Sequence, residues 1–212
     1  MKRLGILLSG RGSNFIAIAD AIKSHRLMGA EIAIVLSNVA DAPGIQAAKK
    51  RGLKTFVVES EGRSRTDHDN EVVARLHQHK VDLVCLAGYM RILSPRFVQA
   101  FPQSILNIHP SLLPQFPGLH PQRQALAAGA AESGCTVHFV DEQVDHGTII
   151  LQRSVPVLPG DDEDSLAARI LEQEHGAYSE AIARVLGGQY VCSDGRYVRR
   201  DSSSAHARAV SS

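Results

Sequence analysis

The sequence predicts an α/β fold: a doubly wound, mostly parallel sheet with helices on both faces and an antiparallel C-terminal edge. Three observations carry this. Short continuous apolar runs alternate with segments of helical periodicity over the first hundred residues, as in strand–helix–strand units whose strands are covered on both sides. The first run opens into a glycine-bearing loop that leads directly into a helix. Late in the chain, two strand patterns over 135–140 and 148–157 have only a loop between them, the arrangement of an antiparallel pair.

Residues 4–8 form the first strand, apolar throughout. It enters Ser9-Gly10-Arg11-Gly12-Ser13-Asn14, and the periodicity of 15–22 predicts the helix that follows. Free backbone N–H groups at such a helix start attract a phosphate. A dinucleotide fingerprint needs glycine where Phe15 stands, and no Walker lysine is present. Gly12, Ser13 and Asn14 therefore read as a cradle for one monophosphate. An ordinary strand-to-helix turn uses the same residue types, and the loop alone does not decide between them. Residues 31–37 are the second strand. Those from 43 to 51 are a helix with Pro43 near its start and Gly52 just past its end, and 55–58 the third strand. Ser64-Arg65 precedes a helix to about residue 79; Arg65 is either a solvated cation or a partner for a ligand carboxylate or phosphate. Residues 83–87 are the fourth strand, ending in Gly88-Tyr89-Met90-Arg91-Ile92-Leu93, where glycine permits close approach of a ligand. Met90, Ile92 and Leu93 either line a slot for a flat ring or are core.

Ser94-Pro95 begins a short helix leading to a fifth strand. Residues 121–128 are helical, and 135–140 alternate as a strand containing His138. Residues 141–147 form a loop too acidic and tight to be core. Pro156 predicts an edge position for the strand over 148–157. Acids at 161–164 gather ahead of a helix from Ser165 to about Leu186, where they suit its dipole. Residues 190–198 read as a small hairpin around Ser193-Asp194-Gly195. From Asp201 onward the chain has too little to bury and is expected to be disordered.

The counts of 23 basic and 22 acidic residues in 212 nearly cancel, so no general field favours nucleic acid or membrane. Cys85, Cys135 and Cys192 are odd in number and lack CxxC spacing, as expected of reduced, buried thiols in a cytoplasmic protein. Met1-Lys2-Arg3 runs straight into a strand and no apolar run approaches membrane length, so the expectation is a soluble, unexported protein.

The densest chemistry lies in residues 104–118. Ile105, Leu106 and Ile108 form a short buried strand, yet Asn107 and His109 interrupt it, and strand alternation points both to one face. Pro110 stops the ladder, while Pro114, Pro117 and Pro121 stiffen the exit. One polar residue here would read as satisfying loop backbone; an amide beside an imidazole before a stiff rim reads as a reaction centre. The loops at 10–14, 88–93 and 107–118 all follow strands and share the rim where doubly wound sheets bind ligands.

Taken together, Ser9 to Asn14, Ala87-Gly-Tyr-Met-Arg-Ile-Leu-Ser-Pro95, Asn107-Ile-His-Pro-Ser-Leu-Leu-Pro114, Phe116-Pro-Gly118 and Asp145 resemble the folate-dependent glycinamide ribonucleotide formyltransferases of purine synthesis. The similarity runs in order and with family spacing from about Lys2 to Leu186. It implies a Rossmann-like formyltransferase fold in one domain over 1–200, with a phosphate-binding half to about residue 100, a folate and catalytic half after it, and a tail over 201–212. The implied reaction moves a formyl group from 10-formyltetrahydrofolate, as co-substrate, to the amine of phosphoribosylglycinamide, without a metal. Carried over by position, Asn107, His109 and Asp145 are the catalytic trio. Gly12, Ser13 and Asn14 hold the substrate phosphate, and Glu174 its ribose or glycinamide end. Arg65, Met90, Arg91, Ile92, Leu93, Asn107, Val140, Asp141, Glu142, Gln143, Val144 and Asp145 hold the folate. The partners are then small molecules, with no nucleic acid or membrane, and the protein a monomer or homodimer.

Amine attack on a formyl carbon builds charge on its oxygen, where one placed donor is typically worth about 10²–10³ in turnover. Asn107 offers an amide N–H. His109 offers an imidazole N–H that Asp145 would keep cationic, able to pass a proton toward the departing folate nitrogen. His120, His138 and His146 lack metal-ligand spacing, and His138 is expected to brace the site. Two departures stand out: His146 where the family often has a second glycine, and Gln115 for a frequent lysine. Methionyl-tRNA formyltransferases and formyltetrahydrofolate deformylases share the Asn-x-His strand. The former normally add a basic C-terminal domain and the latter an N-terminal regulatory one, and neither is read in this sequence. A non-catalytic nucleotide-binding module and a dinucleotide oxidoreductase are rivals of another class. The missing third glycine, and Ser37-Asn38 where an acid would end the second strand, count against the oxidoreductase.

Overall fold

The computed structural model describes residues 1–193 and 196–199. Five parallel strands, β1 (Lys2–Leu8), β2 (Ala30–Ser37), β3 (Thr55–Val57), β4 (Leu83–Leu86) and β5 (Ile105–His109), stand in the order β3-β2-β1-β4-β5. Beyond β5 the sheet turns antiparallel, through β6 (Glu132–Phe139) and β7 (Ile149–Pro156). The hairpin of β8 (Tyr190–Ser193) and β9 (Arg196–Arg199) extends it, β9 joining β7. The connecting helices are α1 (Ser13–Lys23), α2 (Pro43–Lys50), α3 (Arg65–Gln78), α4 (Pro95–Ala100), α5 (Pro121–Ala127) and α6 (Glu163–Leu186). Among the described residues no helix is long and apolar enough to cross a membrane.

Strand alternation sorts the buried side chains into two clusters on opposite faces. Leu4, Ile6 and Leu8 of β1, Leu83 and Cys85 of β4, and Leu106 and Ile108 of β5 pack with α1, α2, α5 and α6. Leu7, Val84, Leu86 and Ile105 turn the other way and meet Val72 and Leu76 of α3 and Phe97 of α4. Asn107 and His109 share the parity of Ile105, so the second face ends in polar groups at the carboxyl end of β5. The strand order reverses between β1 and β4, opening the crevice where such sheets take ligands. There the Ser9 amide donates to the Gly88 carbonyl at 3.0 Å, joining the two rim loops.

Several element limits differ from the sequence expectation. Helix α1 starts at Ser13, two residues early, because Gly12 at φ +71° turns the chain in the left-handed region and places Ser13 and Asn14 in the first turn. Helix α6 starts at Glu163: Asp162 is its N-cap, accepting from the Ser165 amide while donating its own amide to the Ser165 hydroxyl. Strand β6 begins at Glu132, ahead of the apolar residues that signal it. Nor is β7 the sheet edge that Pro156 predicted. β9 pairs with it at Ile149 only, and Pro156 sits at the opposite end of the strand, opposite Glu132 of β6 and beyond the reach of that pairing. Cys85 and Cys135 are buried free thiols, and Cys192 is half-buried. The expected turn at Asp194-Gly195 and the expected disorder from Asp201 lie outside the described residues.

Candidate active site

The β5–β6 register sets Asn107 opposite His138, so the amide and a second imidazole meet across the ladder. His138 donates from Nδ1 to the Phe139 carbonyl at 2.8 Å, which leaves Nε2 as an acceptor for Asn107 Nδ2 at 3.3 Å. Burial holds His138 below the ordinary imidazole range, in keeping with that neutral role. One amide N–H of Asn107 and its carbonyl oxygen are left over. His109 is 5% exposed; its Nε2 donates to the Phe116 carbonyl at 2.9 Å, and its Nδ1 lies 3.3 Å from Asp145 Oδ2. The Asp145 carboxylate thus faces the ring nitrogen that the Phe116 carbonyl leaves free.

Asp145 is held by backbone as well as charge. Its Oδ2 accepts from the Gly118 amide at 2.9 Å, and its Oδ1 lies 3.7 Å from His138 Nε2. A φ of +51° puts it in the left-handed region, at a cost of roughly 1 kcal/mol for a residue with a side chain. The loop that carries it closes tightly. A Cβ on Gly147 would stand 1.8 Å from the Phe139 carbonyl oxygen. Asp141 braces the turn, accepting from the Gln143 amide and pairing with His146 Nδ1, both at 2.8 Å. His146, a departure from the family pattern, thus closes the loop upon itself.

This corner opens on a cavity of about 730 Å³ lined by residues 88–93, 107–110, 118–122 and 140–145 together with Leu86 and His138. Met90 and Ile92 stand 72% and 55% exposed at its mouth, which excludes the core reading for them; Leu93 is buried. Arg91 Nε is a buried donor without a partner. The trio and the expected ring-binding residues at 90–93 and 140–145 therefore share one cavity. Arg65 does not: it opens α3, exposed, and is not part of that lining.

A second polar group lies at the start of α1, whose N-terminus has no side-chain cap. Asn14 is buried and donates from Nδ2 to Glu174 Oε2 at 2.7 Å, while its Oδ1 is buried with no partner. Glu174 reaches this point from α6; burial raises its carboxyl above the usual range, partly offset by the Asn14 bond. Gly12, Ser13, Asn14 and Glu174 are thereby brought together across 160 residues. The two loops share their rim through Ser9, whose hydroxyl accepts from the Met90 amide at 2.8 Å and donates to Asn38 Oδ1 at 2.6 Å.

Some participants had no clear signature in the sequence. His138 was expected as a brace, but its contact with both Asn107 and Asp145 depends on the strand register. The lining by Leu119, Pro121 and Gln122, the Gly118 amide under Asp145 and the Phe116 carbonyl on His109 follow from the path of the proline loop. Among the described residues no three His, Cys, Asp or Glu side chains converge as a metal-holding group.

Comparison with known proteins gives a consistent answer. Residues 2–182 match the family model described as formyl transferase. The chain is 50% identical over 189 residues to the trifunctional purine biosynthetic protein adenosine-3 of Drosophila pseudoobscura pseudoobscura, using 88% of this chain but spanning only 14% of that protein. It is 45% identical over 185 residues to the phosphoribosylglycinamide formyltransferase of Escherichia coli strain K12, covering 87% of each. Among solved structures, glycinamide ribonucleotide transformylase 1 of Symbiobacterium toebii superposes with a TM-score of 0.92 at 47% identity, over 95% of both chains.

Proposed function

The chain belongs to the formyl transferase family, and from that membership we propose that it transfers the formyl group of 10-formyltetrahydrofolate to the amine of phosphoribosylglycinamide. The products are the formylated ribonucleotide and tetrahydrofolate, within de novo purine synthesis. The observation that carries this reading is the convergence of Asn107, His109 and Asp145 at the floor of one cavity, with the α1 phosphate cradle on the same rim.

The acceptor's phosphate lies at Gly12, Ser13 and Asn14, where uncapped N–H groups and the α1 dipole favour an anion. Asn14 Oδ1 and Glu174 are acceptors for the polar groups beyond the phosphate. The donor's ring occupies the cavity between residues 88–93 and 140–145, whose backbone offers edge hydrogen bonds, and the partnerless Arg91 Nε is available to it.

In the reaction the amine nitrogen bonds to the formyl carbon, the carbonyl oxygen takes up negative charge, and the bond from that carbon to the folate nitrogen breaks. The spare N–H of Asn107 meets the developing charge. His109 supplies the second donor. Its Nε2–H is held by the Phe116 carbonyl at 2.9 Å, and an oxyanion, a stronger acceptor than a neutral carbonyl, draws that proton donor away. Asp145 sustains the doubly protonated ring and receives the proton that the amine sheds. The departing nitrogen takes a proton through His109.

A steady-state assay with both substrates tests the proposal. Turnover that saturates in each, with formylated ribonucleotide as product, is expected. Formate released without dependence on the ribonucleotide overturns the acceptor assignment.

A further inference from the structure

Helix α3 turns a buried face of His68, Asp69, Val72 and Leu76 toward the second core cluster. Val72 and Leu76 are what such a face calls for; an aspartate and a histidine at 2% and 0% exposure are not. A buried carboxylate is strongly unfavourable unless it is paired and hydrogen-bonded. Here both oxygens are engaged. Oδ2 accepts from the Ser94 amide at 2.7 Å, and Oδ1 lies 3.4 Å from His68 Nδ1, whose Nε2 donates to the Val58 carbonyl at 2.8 Å. Apolar residues of similar volume would fill the space without the desolvation, so stability alone does not account for the pair.

Ser94 follows directly on the loop that walls the cavity, and it is also the N-cap of α4. At the loop's other end the Met90 amide donates to Ser9 Oγ at 2.8 Å. The segment from Met90 to Ser94 is thus tied at both ends to oxygens that do not themselves line the cavity. Within it Leu93 is buried in the second cluster, while Met90 and Ile92 are exposed and add little packing of their own. Burial raises the Tyr89 phenol in the wall of the cavity, and the nearby Asp69 carboxylate adds to the rise.

We infer that Asp69 is a positioning residue for the donor cavity, fixing the 90–94 wall through the Ser94 backbone from behind. The inference rests on the proposed donor site, and predicts a loss confined to the donor. Asp69→Leu suits the apolar face but removes the acceptor, and should raise the donor KM about tenfold while leaving kcat and the acceptor KM within about twofold. Asp69→Asn keeps an oxygen for Ser94 and should stay within about threefold of wild type. Ser9→Ala, at the other tie, should raise the same KM by a few-fold, and carries the test if Asp69→Leu does not fold.

Thermal unfolding and calorimetric titration with tetrahydrofolate accompany the kinetics, so binding is read independently of turnover. Wild type that binds tetrahydrofolate but transfers no formyl group would refute the proposed function and leave the Asp69 test intact. Wild type that binds none removes the cavity assignment and the inference with it. Folded Asp69→Leu with unchanged donor affinity, or with kcat and both KM values altered together, overturns the inference directly.

Discussion

Replacing Asp145 by asparagine removes a charge while keeping nearly every contact. The side chain is 9% exposed, and its Oδ2 both accepts from the Gly118 amide at 2.9 Å and lies 3.3 Å from His109 Nδ1. An asparagine oxygen in that position still accepts from Gly118 and faces His109. Its Nδ2 then faces the neutral ring of His138 at 3.7 Å, where no proton opposes it. Fold and loop path should therefore survive, with a melting temperature close to wild type. What disappears is the attraction between carboxylate and imidazolium, about 5 kcal/mol gross at 3.3 Å with an effective dielectric near 20. Part of this returns as relieved desolvation and an amide dipole, leaving roughly 3–4 kcal/mol of lost transition-state stabilisation, or about 10²–10³ in kcat. Steady-state kinetics at saturating concentrations of both substrates, with thermal unfolding of the same preparation, measures this. A folded variant turning over within threefold of wild type would falsify the electrostatic role given to Asp145.

Four further outcomes follow from the same geometry. Asn107→Ala should fold and lose about 10² in kcat with a smaller change in either KM, as read from initial rates. Gly12→Ala forces a Cβ at φ +71° to within 3.1 Å of Gly44 Cα and Leu8 Cδ2. It should raise the acceptor KM at least about tenfold and cost roughly 1–2 kcal/mol in denaturant unfolding. Gly147→Ala places its Cβ 1.8 Å from the Phe139 carbonyl, so the loop bearing Asp145 must move; stability should fall by about 2 kcal/mol or more, with weaker donor binding by calorimetry. Glu174 has its folded carboxyl raised by burial, so its contribution to stability is full below the unfolded value of about 4.3 and lost as pH rises through the higher folded value. Glu174→Gln should accordingly melt above wild type at pH 8, lose that advantage near pH 4, and bind the ribonucleotide more weakly; a melting difference independent of pH would contradict the assignment.

Much of this protein is legible in one dimension. The parallel core follows from apolar runs that need cover on both faces, and the starts of α2, α3, α4 and α5 from prolines and capping serines, whereas α1 and α6 begin two residues ahead of their apolar periodicity. Asn107 and His109 could be placed on one face because a strand alternates with a period of two. That Met90 and Ile92 stand exposed at a cavity mouth, and that Arg65 lies away from it, could not be read. Each is an apolar or charged residue after a strand or before a helix, and its surroundings depend on where distant loops fall.

The sequence by itself determined which segments become strands and helices, which rim gathers the loops, and which residue types could carry acyl transfer there. Those rules act through backbone stereochemistry over a few neighbouring residues. Only the tertiary structure decided that His138 faces Asn107, that the Phe116 carbonyl occupies His109 Nε2, that Glu174 meets Asn14 across 160 positions, and that Asp69 reaches Ser94. These contacts are set by antiparallel register and by how α3 and α6 pack on the sheet. No local pattern encodes them, because the energy that selects them is shared among many residues remote in the chain.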